Sequence, residues 1–151
     1  MGGLKNRLTA SLAAAWEAEV LGVLALEKLA DRAPDARIRA RLAALAAGCQ
    51  AHASRLLARM AAIGGGPLPV PPDDLEMPES FADAARLEAA RAKSSADRYV
   101  VMANLARRAM DPSAAWVCEL NRAEELDRAA ELHEIAARCG AGGSSFMAPP
   151  A

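Results

Sequence analysis

Residues 64–79 read GGGPLPVPPDDLEMPE, and this stretch decides the fold. Its prolines and glycines exclude it from helix interiors and central strands, so it is the one long irregular segment in the chain. A connection between antiparallel neighbouring helices needs only about 2–8 residues. Sixteen residues of proline-rich chain at about 3.1 Å each can reach roughly 50 Å. Helices of the size found on either side of it are about 40 Å long at 1.5 Å per residue. The segment can therefore carry the chain from one end of a helical bundle to the other, which predicts two helical hairpins joined by a long crossover. The rival reading is a loose insert in a simple up-and-down bundle.

Outward from the crossover, punctuation bounds four helices, at about 4–31, 35–63, 80–110 and 112–139. Ala33-Pro34 stops the first, because the residue before proline is pushed out of the α region. Asp35 can open the second, and Gly64 to Gly66 stand where a C-cap glycine belongs. Ser80 can cap the third with Asp83 three residues on, and Asp111-Pro112 can open the fourth. Residues 1–140 are expected to form a single domain and 141–151 a flexible tail. LADRAPDA (29–36) and LARRAMDP (105–112) match at Leu, Ala, Arg, Ala and Asp with an offset of 76, and the same register lays Gly64 on Gly140. The two hairpins therefore read as a duplication.

Composition agrees with an all-α four-helix bundle. Of 151 residues 53% are hydrophobic, and about half of those are alanine, 39 in number, the best helix former and a poor strand former. A net charge of −1 supplies no electrostatic reason for a nucleic acid or an acidic membrane as partner. No run reaches the roughly 18 uncharged apolar residues of a membrane span, and Glu17 and Glu19 interrupt any leader-like apolar stretch. Three widely spaced cysteines make no disulfide framework, so a reducing cytoplasm is expected. A homodimer is the expected self-association.

Helical spacing shows which polar residues turn inward. Glu19 stands at the centre of the face formed by Leu8, Leu12, Ala15, Val23 and Leu26. Cys49 and His52 occupy the two stripe positions between Leu45 and Leu56 on the second helix. A mid-helix carboxylate on an apolar face is costly unless paired or metal-bound. Glu19 and His52 lie at comparable distances from the 32–35 turn and should face each other.

Glu19, with Leu26 seven residues later and LADRAPDARIRARLAALAAGCQAHASRLLARMAAIGG (29–65), resembles the first half of a ferritin-like, rubrerythrin-type protein. The likeness covers most of residues 8–64 and, through the repeat, extends more weakly over 84–140. In that superfamily each hairpin supplies a Glu from one helix and a Glu-x-x-His from the next, and together they hold two metal ions. The resemblance implies metal-dependent redox ancestry: iron oxidation, or oxygen and peroxide handling. Carried across residue by residue, the ligand positions here are Glu19, Cys49 and His52 in the first hairpin and Ser95, Glu125 and Arg128 in the second. Three of the six survive: Glu19, His52 and Glu125. Arginine stays protonated and cannot ligate a metal. Two outcomes follow. One is a reduced metal site of Glu19, His52 and Glu125, with Cys49 as a fourth ligand and Fe or Zn as the ion. The other is a metal-free polar core, neutralised by Arg128, in a helical interaction or small-ligand-binding module.

Two further inward residues are candidates. Glu88 shares a face with Ser95 and Tyr99, two turns away or about 10 Å along the axis. His133 shares a face of the fourth helix with Trp116 and Ala130, so either Glu125 and Arg128 or Ala130 and His133 face the interior. The second helix is basic and the fourth acidic, which suits helix pairing or a subunit contact.

Overall fold

The computed structural model describes the backbone of residues 2–147 and the side chains of residues 2–140. Among the described residues there are four helices and no strand: α1 (Gly2–Asp31), α2 (Ala36–Ala62), α3 (Phe81–Arg108) and α4 (Pro112–Met147). The helix starts use the expected caps. Asp35 accepts from the backbone N–H of Ile38 at 2.8 Å, Ser80 from Asp83 at 3.2 Å and Asp111 from Ala114 at 2.9 Å. Gly64 adopts φ 70° after α2, and Gly65 N–H closes back on the Met60 carbonyl at 2.7 Å. This is a Schellman ending. The same ending closes α3, but there the left-handed residue is Met110, at φ 62°, with Asp111 N–H on the Ala106 carbonyl at 2.9 Å.

One boundary differs from expectation. The fourth helix was expected to close at Gly140 and be followed by a loose tail from 141, yet α4 stays helical to Met147. Glycine weakens a helix without blocking its hydrogen bonds, so GAGGSS permits continuation. The last part of the expected tail, 148–151, lies outside the described residues.

The pairs α1 with α2 and α3 with α4 are antiparallel hairpins; α1 also packs on α3 and α2 on α4, while α1 and α4 meet through side chains at the centre. Two apolar clusters fix the ends. One joins Leu8 and Leu12 of α1, Leu56 and Met60 of α2, Met102 and Ala106 of α3, and Ala114 and Cys118 of α4. The other joins Leu26 and Leu29, Ile38 and Leu42, Ala84 and Ala89, and Leu132 and Ile135. Each cluster thus takes the start of two helices and the finish of two, so α1 runs antiparallel to α3 and α2 to α4. The crossover must then traverse the whole bundle. It does: Leu68 packs on the first cluster and Met77 on the second. It is fastened to α1 by Lys28, which donates to the Leu75 carbonyl at 3.1 Å and pairs with Asp74, and just beyond α1 by Arg32, which donates to the Pro78 carbonyl at 3.0 Å.

By length and mean hydropathy α1 would suffice to cross a membrane. In the fold its Leu8, Leu12, Leu26 and Leu29 form the inner face of the bundle, with Glu19 buried between them. Part of the charge contrast between α2 and the α4 segment is matched within the chain. Arg41 pairs with Glu131 at 3.0 Å, Arg55 with Glu124 at 2.6 Å and Arg59 with Asp111 at 3.4 Å.

Candidate metal centre

Between the two apolar clusters the bundle interior is polar. Glu19, His52, Ser95, Asn121, Glu125 and Arg128 are buried there, and Glu88 is buried at the level of the second cluster. The register of α4 is settled: Glu125 is 0% and Arg128 5% exposed, whereas Ala130 and His133 face outward. Trp116, on the same outer face as His133, is 64% exposed.

His52 is the hub. Its Nδ1 lies 3.2 Å from Glu19 Oε1 and 3.3 Å from Glu125 Oε1, while its Nε2 lies 2.9 Å from Glu124 Oε1. A neutral His52 with its proton on Nδ1 sets the Nε2 lone pair against Glu124; with the proton on Nε2 and donated to Glu124, the Nδ1 lone pair faces two further carboxylate oxygens. Three acceptors converging on one point repel unless a cation stands between them. The repulsion is relieved by a proton, on the imidazole or on the Glu19 carboxyl, or by a metal ion. Burial works against protonation of His52, but Glu125 and Glu19 outweigh it and push the imidazole up to about 9. Burial also pushes the Glu19 carboxyl above its ordinary range. In Glu125 burial acts the same way, and His52 and Arg128 overcome it to hold the carboxyl below that range.

The surroundings hold these groups in place. Tyr99 donates its hydroxyl to Glu19 Oε2 at 2.7 Å, and burial keeps the phenol protonated. Arg128 Nε donates to Glu125 Oε2 at 2.7 Å. Glu125 Oε1 is left buried with no hydrogen-bond partner, as is Arg128 Nη1. Arg55 donates to Glu124 at 2.6 Å and to Asn121 Oδ1 at 3.0 Å, and the Asn121 amide in turn approaches the Tyr99 oxygen at 3.3 Å. Gly22 lets this packing close, because a Cβ there would meet Cys49 Sγ at 3.3 Å and Arg128 Nη1 at 3.4 Å.

The sequence-derived candidates divide accordingly. Ligand atoms of Glu19, His52 and Glu125 lie within 4.8 Å of one another and could together hold an ion. Cys49 is buried beside them but outside that set, and burial pushes its thiol far toward the protonated form. Ser95 accepts from Arg98 at 3.1 Å, and Glu88 from Arg91 at 2.7 Å. Asn121 and Glu124 were missed. Asn121 is four residues before Glu125 and seven before Arg128 on one helix, so the same spacing argument reaches it. Glu124 lies one residue off that face among other surface acids, and only the approach of α2 reveals its role.

The two carboxylates and one imidazole fit a single divalent transition ion, since the orphaned Glu125 oxygen supplies a free donor and three protein ligands leave coordination positions open. They do not fit two. In the repeat register Arg128 takes the place of His52, and a guanidinium cannot ligate.

The fold is ferritin-like. Two solved structures share it over nearly their whole length. A protein from Xanthomonas campestris pv. campestris superposes with a TM-score of 0.82, at 17% identity over 93% of this chain and 94% of that one. A dodecameric thioferritin, the bacterioferritin-related protein of Bacteroides fragilis, superposes with a TM-score of 0.80, at 19% identity over 95% of this chain and 92% of that one. No protein-family model and no curated protein matches the chain.

Proposed function

We propose that this ferritin-like protein binds one divalent transition ion through Glu19, His52 and Glu125, with Arg128 as a fixed positive charge in place of a second ion. The observation that carries the proposal is the buried, unpartnered Glu125 Oε1 facing His52 Nδ1 and Glu19 Oε1. Iron or zinc are the ions the donors suit. When bound, the ion supplies a Lewis acid with open positions or, if it is iron, a one-electron redox centre. The residues around it do the positioning. Glu124 fixes which imidazole nitrogen carries the lone pair, Tyr99 orients Glu19, and Arg128 occupies the second oxygen of Glu125. Elemental analysis of protein purified under metal-replete conditions is expected to show near one ion per chain, with the optical spectrum separating iron from zinc. The Glu19→Ala/His52→Ala double variant is expected to lose it. Parent protein without transition metal sinks the proposal.

A second reading is supported by the short Arg128–Glu125 contact: a metal-free polar core, closed by Arg128 and a protonated His52. It is distinguished by chelation, which would then leave thermal stability unchanged.

We further propose that the protein acts in a reducing compartment, with Cys49, Cys118 and Cys139 as free thiols. Self-association is supported by the exposed Val100 and Val101 and by the dodecameric assembly of the thioferritin neighbour, and a homodimer is the unit we propose. Light scattering on the purified protein tests it; a monomer at all concentrations refutes it.

A further inference from the structure

Two grooves lead from the surface toward the site. One, of about 250 Å³, lies between α1 and α3; Ala14, Ala15, Ala18 and Met102 wall it and Tyr99 lies at its base. It offers a hydrated cation no carboxylate. The other, of about 280 Å³, lies between α2 and α4 directly over His52. Its α2 wall is Ala44, Gly48 and Ala51, and its α4 wall carries Glu124, Asp127 and Glu131. Leu45, Cys49, His52, Arg55 and Arg128 complete its lining.

Gly48 is the informative residue. It lies inside α2, where glycine is a poor choice beside alanine, and this chain uses alanine freely. At Gly22 a Cβ would sit tightly against Cys49 Sγ at 3.3 Å, but a Cβ at Gly48 would meet nothing within 4 Å. Core packing does not demand glycine there; the effect of its missing side chain is to keep the groove wide. The His52 ring stands across the inner end, Nε2 toward Glu124 at the rim and Nδ1 toward Glu19 and Glu125 inside. Glu124 itself is 42% exposed and ties the ring to Arg55.

We propose that the α2/α4 groove is the entry port for the metal ion of the Glu19–His52–Glu125 site, kept open by Gly48, with Glu124 as a latch on the His52 ring. Among the described residues Glu124 pairs with Arg55 and Glu131 with Arg41, which leaves Asp127 as the rim carboxylate free to draw a hydrated divalent cation. When Glu124 exchanges Arg55 and His52 for the ion, the ring is free to turn and the ion passes to the two inner carboxylates. This inference rests on the proposed metal site and adds its route.

Loading of the metal-free full-length protein with cobalt(II), followed by stopped-flow absorbance, tests the route. Gly48→Leu is expected to slow loading at least tenfold while equilibrium affinity stays within about threefold, because the new side chain fills the groove without touching a ligand. Gly48→Gln, of similar reach and different polarity, is expected to do the same, and circular dichroism establishes that both variants are folded. Asp127→Asn is expected to slow loading several-fold at low ionic strength and little at high, as steering by a surface charge requires. Ala18→Leu, in the other groove, is expected to leave the rate unchanged. Parental loading in both Gly48 variants, or slowing by Ala18→Leu instead, overturns the port alone. A parent that takes up no cobalt overturns the port and the metal site together.

Discussion

Replacing Arg128 with alanine tests the central electrostatic argument. Its side chain is 6% exposed and that of its partner Glu125 is 0% exposed, so neither charge can fall back on water. Arg128 is the fixed cation beside Glu125, and Glu19 and Glu88 add two further buried carboxyls to the same interior. Breaking a buried pair by deleting one partner costs about 3–5 kcal/mol, mostly from the charge left behind. For a chain of this length 1 kcal/mol moves the melting temperature by about 2–4 °C, so Arg128→Ala should melt roughly 10–15 °C lower. Differential scanning calorimetry of the metal-free protein measures it. If the stranded Glu125 charge causes the loss, Glu125→Gln/Arg128→Met should cost far less than the two single variants summed, since both charges leave together. An Arg128→Ala variant within about 1 kcal/mol of the parent, or additive single and double variants, would refute the reasoning.

Met110→Gly should stabilise the protein by about 1 kcal/mol, because φ 62° strains an L-residue and the 86% exposed side chain has little packing to lose; urea unfolding reads it, and a destabilised variant contradicts it. The two helical glycines should respond with opposite signs. Gly22→Ala should destabilise by about 1–3 kcal/mol against Cys49 and Arg128, whereas Gly48→Ala should stabilise by about 0.5–1 kcal/mol. Equal shifts in the same direction in a pair of melting curves would contradict the assignment. Leu56→Ala, at a fully buried position of the first apolar cluster, should cost about 2–5 kcal/mol by chemical denaturation; a loss below 1 kcal/mol would mean that cluster does not hold the bundle together.

The fold was legible because its determinants are local. Asp35, Ser80 and Asp111 announce helix starts in one dimension, and the length of 64–79 states how far the chain must travel before the next helix. The facing of Glu19 and His52 was also readable, since both positions are counted from the same short turn. Glu124 was not, because its partner His52 sits on another helix 72 residues earlier and one residue of rotation decides whether the carboxylate meets it. Helical spacing left two faces of α4 in competition. What decided between them is three-dimensional: Glu125 and Arg128 find partners in the interior, and Ala130 and His133 offer none. The helical run past Gly140 escaped because glycine is a frequent helix terminator without being an obligatory one.

The crossover supplies no side chain to the candidate metal centre, yet the asymmetry of that centre depends on it. In the repeat register His52 falls on Arg128 and Cys49 on Glu125. Two identical hairpins associating as separate molecules would carry every substitution twice: two guanidiniums and no imidazole, or two imidazoles and no fixed charge. A covalent tether places the hairpins in one gene and holds each at a high effective concentration for the other. Each half is then free to specialise, one keeping the ligand and the other the counter-charge. A chain segment with no chemistry of its own is thus what lets a two-fold architecture hold a one-sided site.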